Sequence, residues 1–183
     1  MALLVVAACG VFVVKWMSAP SPRKLPPEPL RDQLAARVVE VVEHDPTFRT
    51  EVTEEPGPHP VCVASVFGVE PDWADTVEDV RTIYTWVDCL WLGPADVAQG
   101  PAGLDLSQLS GLGMPIALHL GPPVTYQAPK DGAENGDSIR RIFPKSLEDA
   151  AFSPPHRSMR DELRQRVLQV VASPTPSPSP SHS

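Results

Sequence analysis

The stretch Arg81 to Leu92, RTIYTWVDCLWL, constrains the fold more than any other part of the chain. It is β-branched and aromatic, and apolar residues fall on both of its alternating faces. A central strand in a covered sheet fits that pattern. Val61 to Gly68, VCVASVFG, predicts a second strand, with Val61, Val63, Ser65 and Phe67 on one face and Cys62, Ala64 and Val66 on the other. Met114 to Leu120 predicts a third and Val124 to Ala128 a short fourth, separated by Gly121-Pro122-Pro123.

Helical period frames these strands. Leu30, Leu34, Val38, Val41 and Val42 share one face of a helix predicted over Leu30 to Glu43, and Asp45-Pro46 stops it. Phe48 and Val52 lead into an extended segment, and Glu54 to Pro60 is rich in turn residues. Gly93 to Gly113 reads as a long, glycine-rich loop. After the Asp131-Gly132 turn, Ser138 to Phe143 and Ser146 to Phe152 predict short helices. Ser158 and Asp161 form a cap-like pair before a last helix lined by Met159, Leu163, Val167 and Val170. The order implies an α+β domain over residues 30–172: a curved antiparallel sheet of about four strands, packed by an N-terminal helix and followed by short C-terminal helices. Cystatin-like and NTF2-like shapes are candidates.

The two ends differ from this core. The chain has 23 prolines in 183 residues, against about 9 expected from average usage. Residues 3–14, LLVVAACGVFVV, are an unbroken apolar run ended by Lys15, which marks 1–17 as a signal or membrane-anchor segment. Residues 18–29 read as a Pro-rich stalk, and 173–183, with their Pro-Ser repeat, as a disordered tail. Val6-Ala7-Ala8-Cys9 resembles the bacterial lipoprotein box and makes Cys9 a candidate lipidation site. However, apolar residues continue past it to Val14. The expectation is a membrane partner through the N-terminal segment, with the domain on the extracellular side of the cell membrane or secreted. Lys15, Arg23 and Lys24 follow the apolar run and argue for the opposite orientation.

Charge narrows the partners. The formal net charge is −8, from 15 basic and 23 acidic residues, and phosphate contacts need a basic patch, so no nucleic-acid partner is expected. Arg157, Arg160, Arg164 and Arg166 alternate with Asp161 and Glu162 and read as a solvated helix face.

Motif chemistry is absent. There is no P-loop, GxGxxG, HExxH, GxSxG or EF-hand loop, and no His/Cys spacing that suits zinc. No cofactor, metal site or catalytic residue is expected. Glu70, Asp72, Asp75, Glu78 and Asp79 are the densest acidic group and read as a solvated loop, because no calcium-loop order or glycine accompanies them. The histidines at 44, 59, 119, 156 and 182 are scattered. Cys62 and Cys89 lie on the two clearest strands. As antiparallel neighbours they form a disulfide, and otherwise they are buried free thiols. Tyr84, Trp86, Asp88 and His119 are the residues that would line a pocket between helix and sheet.

Val61-Cys62-Val63 and Tyr84 to Cys89, together with Ala128 to Gly132 and Asp137 to Pro144, resemble an uncharacterised family of secreted or membrane-tethered proteins of actinobacteria and related bacteria. The resemblance covers roughly residues 30–150 and implies export, with no residue role attached. The expected function is an envelope-associated binding or structural domain without enzymatic activity. The alternative is a small-ligand-binding protein or enzyme with a pocket between helix and sheet.

Overall fold

A computed structural model describes residues 25–45 and 59–173. Four antiparallel strands stand in the sheet in the order in which they occur in the chain: β1 (His59–Glu70), β2 (Thr82–Leu92), β3 (Gly111–His119) and β4 (Thr125–Gln127). β1 and β3 flank β2 along nearly its whole length, so the strand that is apolar on both faces is buried on both. β4 reaches only Ala117–His119, and among the described residues no strand pairs with the outer side of Gly111 to Ile116.

Alternation along β2 sends its side chains into two separate cores. Ile83, Val87, Cys89 and Trp91 face α1 (Glu28–His44) and pack with its buried stripe of Leu30, Leu34, Val38 and Val42. The four-residue spacing of that stripe is why this segment is a helix laid on a sheet. Tyr84, Trp86, Leu90 and Leu92 face a second layer, formed by α3 (Asn135–Ile142), α4 (Glu148–Phe152) and α5 (His156–Ala172). Met159, Leu163, Val167 and Val171 of α5 bury against Val61, Val63 and Leu92, while Ile139, Phe143, Leu147 and Ala151 bury against Tyr84 and Ala117. The architecture is an α+β domain, with the four-stranded sheet packed by its N-terminal helix and by short C-terminal helices.

Cys62 lies directly opposite Cys89, and the two are joined by a disulfide with Cα atoms 4.1 Å apart. Both are fully buried on the α1 face. The Cys62 backbone points away from β2: its N–H donates to Glu43 Oε1 at 2.8 Å, and its C=O accepts from Arg166 Nη1 at 2.6 Å. The bridge therefore occupies a non-hydrogen-bonded position of the ladder, where opposing side chains come closest. One residue of β1 breaks the register between Val66 and Gly68. It is Phe67, which packs against Phe143 of the second layer at a ring-centroid distance of 5.8 Å.

Several local expectations are corrected. The predicted loop from Gly93 to Gly113 contains α2 (Pro94–Gly103), a 3-10 turn at Leu106–Gln108 and the start of β3. Pro94 sits in the first turn, where a missing N–H costs nothing, and the Asp96 carboxylate accepts from the Gly93 N–H at 2.8 Å. The helix breaks at Gly100, whose φ of 69° suits glycine. Gly111 opens β3 opposite Leu90, and a Cβ there would lie 2.9 Å from Leu90 Cδ2. The last helix starts at His156, so Ser158 lies inside it and donates to Pro155 O at 3.2 Å instead of capping with Asp161. His59 and Pro60 open β1 in place of a turn, and Glu28 and Pro29, read as stalk, are the first turn of α1.

The expected membrane-tethered, transmembrane character and cell-membrane location are corrected as well. No helix among the described residues is long and apolar enough to cross a membrane. α1 and α5 have 17 residues each and span about 25 Å, short of the ~30 Å hydrocarbon core, and both carry charges on their outer faces. The apolar leader with Cys9, the stalk up to residue 24, the extended segment around Phe48 and Val52, and the tail from 174 lie outside the described residues.

Candidate functional site

A cavity of about 710 Å³ opens between the outer half of β2, the segment that follows α2 and one face of α5. Its apolar lining comes from three distant parts of the chain: Leu90 of β2, Leu104 and Leu106 after α2, and Leu163 and Leu168 of α5. The segment after α2 is held over the sheet by Leu104, Leu106 and Leu109, which pack against the second core. The volume lies within the ~300–1,000 Å³ range of small-molecule sites.

Polar groups share this lining. Asp88 rises from β2, Asp105 and Ser107 come from the turn, and Arg160, Asp161 and Arg164 come from α5. Asp105 Oδ1 accepts from Ser107 Oγ at 2.7 Å and from Ser107 N–H at 3.0 Å. These bonds favour the carboxylate and hold Asp105 below its ordinary value of 3.8, the hydroxyl bond contributing most. Asp105 is thus an ionised group of the lining whose turn is fixed by its own side chain.

The four residues singled out from the sequence share the face of the sheet opposite α1, but they have separate surroundings. Asp88 lines the cavity. Trp86 lines a smaller hollow of about 260 Å³ beside Pro115, Ile139 and Phe152, and its Nε1 donates to Ala150 O at 2.8 Å. Tyr84 is buried, and its hydroxyl donates to Glu70 Oε2 at 3.0 Å. His119, at the far end of β3, pairs through Nδ1 with Thr82 Oγ1 at 3.1 Å. The indole and the phenol thus bind the second layer and the strand end. Arg160 and Arg164, which read as parts of a solvated face, line the cavity. Their spacing of four residues was visible in the sequence, but the apolar segment opposite them was not.

Among the described residues, no group of three or more His, Cys, Asp and Glu is placed to hold a metal ion. No family model matches the chain, and no curated protein or solved structure matches it either.

Proposed function

We propose that this protein binds a small organic ligand in the cavity between α5 and β2. The observation that carries the reading is the cavity itself, about 710 Å³, lined by leucines from three separate segments together with a few charged side chains. An apolar concavity ringed by a few fixed polar groups is the usual form of a small-ligand site. The reading assigns binding and no reaction.

A neutral, environment-sensitive dye such as Nile red tests it on the full chain. The dye is expected to bind with a blue-shifted, enhanced emission. Leu106→Trp, which places an indole in the cavity from a half-buried turn position, is expected to weaken binding by roughly tenfold, about 1.4 kcal/mol. Absence of dye binding by the folded protein, or equal binding by the Leu106→Trp variant, would overturn the reading.

A further inference from the structure

We infer that the ligand of this cavity is an amphiphile with an anionic head, seated with its head on Arg160 and Arg164 and its apolar body on the leucines. The inference rests on the binding reading given above. Arg160 and Arg164 both line the cavity and are four residues apart on α5, which puts them one above the other on the same face of the helix. None of the ion pairs of the described residues includes either of them: those pairs are Arg37–Glu40, Lys130–Glu134, Arg140–Asp137 and Arg166–Glu43.

The acidic groups of the lining do not compete for them on equal terms. Asp105 Oδ1 already accepts twice from Ser107. Asp88 has an interaction of its own. Asp161 shares the lining and stands about 100° round the helix from Arg160 and about 60° from Arg164, but it is exposed and is in none of these ion pairs. Two guanidinium groups beside an apolar lining therefore face a space that a carboxylate or phosphate can enter, and each presents a planar fork that matches such an anion. An apolar chain joined to that anion completes the fit, because Leu90, Leu104 and Leu163 line the same cavity as the arginines.

The test compares four ligands with the same ten-carbon chain on the full protein, below their aggregation concentrations and at low salt: decanoate, decyl phosphate, decanol and decylamine. Decanoate or decyl phosphate is expected to bind roughly tenfold more tightly than decanol, about 1.4 kcal/mol. Whichever of the two binds better identifies the head as carboxylate or phosphate. In the Arg160→Gln/Arg164→Gln variant the ratio is expected to fall close to one. Both ligands are read on the same sample, so a folding defect lowers both affinities and leaves their ratio unchanged. Equal binding of decanol and the two anions, or a preference for decylamine, overturns the anionic head while leaving the binding cavity in place. Failure of all four to bind, decanol included, overturns the cavity reading and the inference with it.

Discussion

Glu43 of α1 and Arg166 of α5 meet across the outer edge of β1 with 2.9 Å between carboxylate and guanidinium, and each also bonds the backbone of Cys62. The helices come from opposite ends of the domain and from opposite faces of the sheet. The pair closes the edge at that point by supplying the acceptor and the donor that a neighbouring strand would supply. Removing one partner leaves a part-buried backbone group without its bond. Glu43→Ala and Arg166→Ala are each expected to lower unfolding free energy by about 2 kcal/mol in denaturant titrations. The double variant is expected to cost less than the sum, with a coupling of roughly 1 kcal/mol. Strict additivity would show that the two side chains act independently.

The Cys62–Cys89 bridge closes a loop with a sequence separation of 27 and joins strands that are already paired. The chain-entropy model gives about 3.5 kcal/mol for a loop of that length. The Cys62→Ala/Cys89→Ala protein is expected to lose about that amount. Alkylation of the unreduced, denatured chain is expected to spare Cys62 and Cys89. Labelling of both in freshly isolated protein would contradict the bridge.

Trp86 anchors α4 through its bond to Ala150 O. Trp86→Phe retains most of the ring but loses the donor. The expected cost is about 1 kcal/mol, together with faster amide exchange in residues 148–152. Unchanged exchange there would mean that the helix is held by packing alone.

The Ser107 bonds depress the Asp105 pKa below 3.8 in the folded chain. A carboxyl group with a depressed folded pKa stabilises the fold above its unfolded value, and this contribution disappears as the pH falls through the folded pKa. Carbon-detected titration of Asp105 is therefore expected to give a midpoint below 3.8 in the parent protein, and Ser107→Ala is expected to move it upwards. An unmoved midpoint would place the cause elsewhere.

The parts of the fold that were legible in the sequence were those whose side chains repeat with a period. The stripe Leu30, Leu34, Val38 and Val42 announced α1, and the β-branched, aromatic run in β2 announced a central strand. The stretch from Gly93 to Gly113 was not legible, because its glycines and prolines carry no period. Gly111 is glycine because Leu90 lies beside it, and Gly100 because the chain turns there with positive φ. The first cause is not local. The cavity was hidden for the same reason: Leu90, Leu106 and Leu163 converge only after the second layer has formed, and the helical wheel that sets Arg160 and Arg164 about 160° or less from Arg166 does not say that the first two turn to a cavity and the last to β1.

Strand order that repeats chain order also has a kinetic meaning. Each strand of this sheet pairs with the next in the chain, and even the longest connection, residues 93–110 between β2 and β3, is far shorter than the domain, so the meander can assemble from sequential pairings at moderate loop-closure entropy. The bond from Arg166 to Cys62, by contrast, spans 104 residues and must wait for both ends of the domain. Substitutions in the β2–β3 pairing, such as Val87→Ala, should therefore slow folding, while Arg166→Ala should mainly speed unfolding. Stopped-flow rates would reveal this as a high φ-value for the first and one near zero for the second. The order of events would be wrong if Arg166→Ala slowed folding as much as Val87→Ala.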